Sequence, residues 1–282
     1  MADLRIQYDE EMVGANHPTK SDTLNRLVLA EHEQDGSHKD GVLPSPGGLL
    51  TLAAGYTSAD AVNISAGTVE IKGRYHHLPT GISHTLTDPG TANWQYLYAA
   101  PPDSGATLAA AQFSNSATAP DYLPDQAGWY DANGRRCIGV CYIDSSGNIV
   151  PWRQSGGGWR FDRPVIDYSS SNPPTTPTLI SLTLPALGRL KVVLNGTITQ
   201  ASSGVYFYLQ NGDATNSVSD TGDSIFGFYL SGNAATMRAL GEGSAITNQS
   251  QQVRISVSNS SGPTLNLATK GFALPAGLRR TN

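Results

Sequence analysis

Charge is scarce in this sequence: Asp, Glu, Lys and Arg together make up 15% of its residues, against a typical ~25%. The net charge is −5 at pH 7, and no run of Lys or Arg forms the stripe that phosphate neutralisation requires, which excludes nucleic acid as the expected partner. No segment approaches the ~18–20 consecutive apolar residues of a membrane span. The polar stretch Met1 to Glu11 lacks the basic start and apolar run of a signal peptide, so the expectation is a soluble chain made in a cytosol, without membrane insertion. Cysteine is nearly absent. Cys137 and Cys141 share the strand-like run CIGVCYI, where four residues of extended chain separate them by roughly 13 Å. A disulfide needs Cα atoms less than ~7 Å apart, so buried thiols are expected and a bridge is not.

What fills the space left by charge is Gly (30), Pro (17) and Tyr (12), with Ser, Thr and Asn, a balance that suits turns and strands. The length of 282 residues allows about two domains of ~100–200 residues, each with a real core. The fold class expected is mainly β, in four parts. Residues 1–41 carry one helix: Thr19 caps it, Asp22 follows three positions on, Leu24, Leu27 and Val28 recur at helical spacing, and Asp35-Gly36 stops it. Its apolar stripe is narrow, so it must pack on the next domain or on another copy of the chain. Residues 42–155 read as a middle β-domain with strands at 49–53, 61–65, 67–73, 94–99, 137–143 and 148–152. Asp88-Pro89-Gly90, Pro101-Pro102-Asp103 and Asp131-Ala132-Asn133-Gly134 supply reversals, and 101–131 reads as a long polar loop, a surface excursion or a partner-contacting flap. Residues 156–164, opened by Gly156-Gly157-Gly158, read as a linker. Residues 165–282 hold about eight short runs (165–169, 178–184, 189–195, 204–209, 224–230, 235–240, 252–257 and 264–268) separated by polar turns, the pattern of a β-sandwich of jelly-roll type.

Catalytic strings are missing: no nucleophile elbow, phosphate loop or HExxH is present. Glycan cleavage needs a pair of carboxylates, but Asp213, Asp220 and Asp223 lie in one loop, where turn-forming bonds explain them. Among the six histidines, His76, His77 and His84 are densest, and adjacent strand residues point to opposite faces, so His76 and His77 do not converge on one ion. His17, His32 and His38 surround the helix and read as structural or docking groups. The expectation is a protein with no catalytic residues, no metal and no cofactor. Tyr206, Phe207 and Tyr208 alternate across a strand; Val205, Phe207 and Leu209 form the natural core face, which turns Tyr206 and Tyr208 toward an outer surface, a subunit interface or a receptor, with cross-strand packing as the plainer alternative. Tip loops at 211–223 and 241–251, with Asn211 and Asp213, are the expected recognition positions.

The stretch QYDEEMVGANHPTKSDTLNRLVLAEHEQDGSHKDG, residues 7–41, carries an M-V-G-x-x-H-P-x-x-x-D-x-x-N-R string from Met12 to Arg26, followed by D-G-x-H-K from Asp35 to Lys39. It resembles the N-terminal attachment segment of bacteriophage tail-fibre and related virion tail proteins. IGVCYIDSSGNIVPW (138–152) looks like the hairpin that closes a β-domain in many such fibres, and the C-terminal sandwich is similar in style to receptor-binding head domains. The resemblance implies a phage virion structural protein, a homotrimeric tail fibre in host-cell attachment, located in the virion and made in the host cytoplasm. It implies docking on tail or baseplate proteins through His17, Pro18, Asp22, Leu24, Asn25, Arg26, Leu27 and Val28, and a host glycan or protein receptor bound by residues 165–282. The chain is short for a fibre and has no repeat shaft. A baseplate adaptor, a head fibre, a capsid decoration protein and a glycan depolymerase therefore stand as alternatives.

Overall fold

A computed structural model of the chain describes residues 50–155, 157–200, 205–214, 226–230, 237–258, 263–276 and 278–279. The helix expected within residues 1–41, and with it His17, Pro18, Asp22, Leu24, Asn25, Arg26, Leu27 and Val28, lies outside the described residues. The rest is mainly β, built of antiparallel sheets.

The first half contains β1 (Ala54–Tyr56), β2 (Ala61–Ile64) and β5 (Ile82–Thr85) in one sheet, and β3 (Gly67–Ile71) with β4 (Arg74–Leu78) as a hairpin. A five-stranded sheet follows, in the order β7-β6-β10-β9-β8, from β6 (Asn93–Ala99), β7 (Phe113–Ser116), β8 (Asp121–Leu123), β9 (Gly128–Tyr130) and β10 (Arg136–Ile143). The loop expected at 101–131 is therefore corrected: it supplies β7, β8, β9 and two short 3-10 turns. Segments such as FSNS and DYL have little strand propensity of their own, and pairing with neighbouring strands supplies what propensity does not. The turns fall where Asp and Gly place them. Asp131 Oδ1 accepts from the Asn133 and Arg135 amides at 3.0 and 2.8 Å, and Gly134 takes φ +73°. Asp144 does the same in the hairpin after β10, accepting from the Ser146 and Asn148 amides at 2.8 and 2.9 Å.

Two sheets make the second half. One runs β11-β12-β19-β14-β17, from β11 (Trp152–Ser155), β12 (Gly158–Ser170), β14 (Lys191–Gln200), β17 (Met237–Ile246) and β19 (Thr264–Ala273). The other runs β13-β18-β15-β16, from β13 (Thr178–Ser181), β15 (Val205–Gln210), β16 (Phe226–Leu230) and β18 (Gln252–Val257). Val192, Leu194 and Ile198 of the first and Val205, Phe207, Leu209, Val253 and Ile255 of the second belong to one buried cluster. Residues 156–164 are not a linker over their described part: Ser155 pairs with Gly158 in a tight hairpin, and Gly158 to Pro164 belong to the 13-residue β12. The period-2 alternation of buried Trp159 and Phe161 with exposed Arg160 and Asp162 outweighs the glycine run beside it. Residues 241–246, expected in a tip loop, continue β17 along β14.

Aromatic packing joins the two halves. The Trp159 ring lies 5.2 Å from Trp94, 5.3 Å from Trp152, 4.5 Å from Phe161 and 5.1 Å from Phe272, edge-to-face or stacked as ring quadrupoles favour. Its Nε1 donates to the Val140 carbonyl of β10 at 3.2 Å. Trp129 Nε1 donates to the Ala276 carbonyl at 2.8 Å, and the Ala186 amide to the Tyr96 hydroxyl at 2.8 Å.

Candidate binding face

Strand β15 divides its side chains sharply. Val205, Phe207 and Leu209 are buried, whereas Tyr206 is 46% exposed and Tyr208 half-buried. The tyrosine rings stand nearly parallel, 16° apart in plane, with centroids separated by 6.1 Å. Register explains this, because residues i and i+2 share a face and their rings align along the strand. Tyr208 is the Cα partner of Gly227 on β16 and of Ser256 on β18. Tyr206 is tied to the residue that follows β18: its amide donates to Ser258 Oγ at 3.0 Å, while the Ser258 amide donates to the Tyr206 carbonyl at 3.0 Å.

The same face continues to Gln210, whose register partner is Arg254; Arg254 in turn pairs with Leu179. Gln210 is 1% exposed, and among the described residues neither its Oε1 nor its Nε2 has a hydrogen-bond partner, nor does Arg254 Nε. Buried polar groups are nearly always satisfied, and Gln210 shares this state with buried atoms of Trp94, Gln126 and Trp152 elsewhere among the described residues. Sequence reasoning named the tyrosines and missed Gln210 and Arg254. Continuing the period-2 alternation from Tyr206 and Tyr208 by one more step reaches Gln210.

Asn211 and Asp213 sit at the turn that ends β15. Asn211 Oδ1 accepts from the Ile246 amide at 2.7 Å, a backbone-bracing role, and exposed Asp213 forms an ion pair with Arg189 at 3.0 Å. They are therefore at the end of the tyrosine strand and engaged with other partners. Asp220 and Asp223 lie outside the described residues. The other paired carboxylates are held by cations: Asp131 by Arg135 at 2.5 Å, Asp162 by Arg153 at 2.8 Å, and Glu242 by Lys270. The Lys270 bond keeps the Glu242 carboxyl below its ordinary range.

On β4, His76 is buried and His77 exposed, on opposite faces. Among the described residues no three His, Cys, Asp or Glu side chains gather as metal ligands, and no helix is long and apolar enough to cross a membrane. Cys137 and Cys141 are free and buried, and burial pushes both thiols up to about 12.

No protein-family model matches the chain, and no curated protein matches it. Among solved structures it is similar to a chain described as the structure of infectious bursal disease virus strain Gx. The identity is 12%, covering 88% of this chain and 70% of that one, with a TM-score of 0.14, a likeness too slight to carry any argument about fold or function.

Proposed function

We propose that the chain is a virion protein acting in host attachment, a tail fibre that works by adhesion without chemistry. The observation that carries the proposal is the paired Tyr206 and Tyr208 on the outer face of their sheet, opposite buried Val205, Phe207 and Leu209. Aromatic side chains with few rotatable bonds bring contact area at low entropic loss. The strand orders β12-β19-β14-β17 and β13-β18-β15-β16 support a jelly-roll reading of residues 165–282. The resemblance of residues 7–41 to tail-attachment segments supports docking of that end on tail or baseplate proteins. Homotrimerisation would multiply weak receptor contacts through effective concentration.

The test is attachment of the labelled full chain to susceptible cells. Tyr206→Ala and Tyr208→Ala should each weaken binding about thirtyfold, the ~2 kcal/mol scale of an interface hot spot. Unchanged attachment by both variants would overturn the assignment of this face, and no attachment by the wild-type chain would overturn the function.

A second reading, a structural adaptor, head-fibre or capsid decoration protein, is favoured by a different face. Ile166 and Leu240 stand 67% and 70% exposed beside uncharged Asn195, Thr197, Asn266 and Ala268 on the outside of the β12-β19-β14-β17 sheet, which suits burial in a particle. Protection of Leu240 from surface labelling in the intact virion, with Tyr206 equally protected, would favour it.

A further inference from the structure

The β11–β12 hairpin places two arginines directly against each other. Arg153 and Arg160 are register partners and both are exposed, on the face opposite the buried pair Trp152 and Phe161. Like charges directly across a strand pair destabilise it. Asp162 answers Arg153 at 2.8 Å, and Glu242, which lies close enough to feel Arg160, is taken by Lys270. The Arg160 backbone is paired on both sides, but its side chain has no hydrogen-bond or ion-pair partner among the described residues. Its aliphatic stem is held in place over bare backbone: Gly271 is its partner on β19, and a Cβ there would stand 2.9 Å from Arg160 Cγ and 2.8 Å from Arg160 Cα. The two arginines, with Ser155, Gly158, Phe161 and Asp162, line an open pocket of about 430 Å³.

The geometry points to a binding site for a carboxylate-bearing sugar ring, of the uronic-acid class, with the Arg160 guanidinium as its anchor. This goes beyond the attachment proposal and does not depend on it, since the pocket lies on a different sheet from the tyrosine pair. The guanidinium fork matches a carboxylate through two parallel N–H donors. The pocket volume falls in the range of ligand sites and exceeds what a bare ion fills. Ser155 and Asp162 offer hydroxyl and carboxylate partners for ring hydroxyls. An anion seated there also cancels the repulsion between the arginines.

The test is calorimetric titration of the full chain at low salt with galacturonate and its short oligomers, with galactose and inorganic phosphate as comparison ligands. Galacturonate should bind, galactose should not, phosphate should bind more weakly, and affinity should fall as salt rises. Arg160→Gln should lose about tenfold or more of the galacturonate affinity, the scale of a charge-assisted hydrogen bond, while Lys72→Gln, which removes one positive charge from the β3–β4 turn, should not. Arg160→Gln should also melt no lower than the wild type, because it removes a like-charge opposition; a purely structural arginine would show a lower melting temperature and no change in binding. Equal binding of phosphate would overturn the sugar-acid class, and unaltered galacturonate binding by Arg160→Gln would overturn the site.

Discussion

Buried titratable groups are where single side chains have measurable consequences. With their thiols raised to about 12 by burial, Cys137 and Cys141 stay protonated at neutral pH, and the thiolate is the reactive form. Neither should react with an alkylating reagent while the chain is folded, and both should react once it is denatured; labelling at native pH would contradict their placement in the core. Asp167 is a second case. Its Oδ1 accepts from the Thr183 amide at 2.7 Å, and its Oδ2 from the Thr269 amide and hydroxyl at 3.0 and 2.5 Å. Burial nevertheless outweighs these bonds and raises its carboxyl above the ordinary value of 3.8. A raised folded value means that the protonated form favours folding. The associated stability is fully present below 3.8 and is lost as pH rises through the folded value. In denaturant unfolding at stepped pH, the stability of the wild type relative to Asp167→Asn should therefore fall as pH rises through that window; a rising difference would show the opposite sign.

At the scale of strands, alternation was the legible signal wherever side chains were apolar or aromatic. The runs around β2, β3, β6, β10, β14, β15, β18 and β19 were readable because large residues recur every second position, and the turns at 131–134 and 144–148 because Asp and Gly satisfy local backbone groups. Strands made by pairing were not readable. Residues 241–246, GEGSAI, have little to mark a strand, yet they continue β17 along β14; β7 and β8 are made the same way. The tyrosine face was legible in part, since Tyr206 and Tyr208 follow from alternation, whereas the unmet hydrogen bonds of Gln210 and Arg254 depend on what packs around them. The opposed arginines of β11 and β12 were hidden because the glycine run before Trp159 reads as a hinge. Close approach between strands leads to a further prediction. A Cβ at Gly271 would lie 2.2 Å from the Trp159 carbonyl oxygen, a contact backbone atoms cannot relax cheaply. Gly271→Ala should destabilise the β12–β19 pair by about 1–3 kcal/mol, the cost of overpacking, read as a lower urea midpoint; an unchanged midpoint would refute that close approach.

Across the whole molecule, the aromatic junction makes the two halves mechanically dependent. Trp159 contacts Trp94 of β6, Trp152 of β11 and Phe272 of β19 and bonds the β10 carbonyl of Val140. Removing it by Trp159→Ala should cost about 3–5 kcal/mol, and because both halves share this cluster, their unfolding transitions should shift together; a shift confined to one would separate them energetically. The proposed attachment would gain binding strength from several copies acting together. Electron cryomicroscopy of the intact particle carrying this chain tests that claim most directly. Attachment predicts three copies tethered through residues 1–41, with residues 165–282 free at a tip and Tyr206 facing outward; both halves buried in a shell or tail lattice would contradict it.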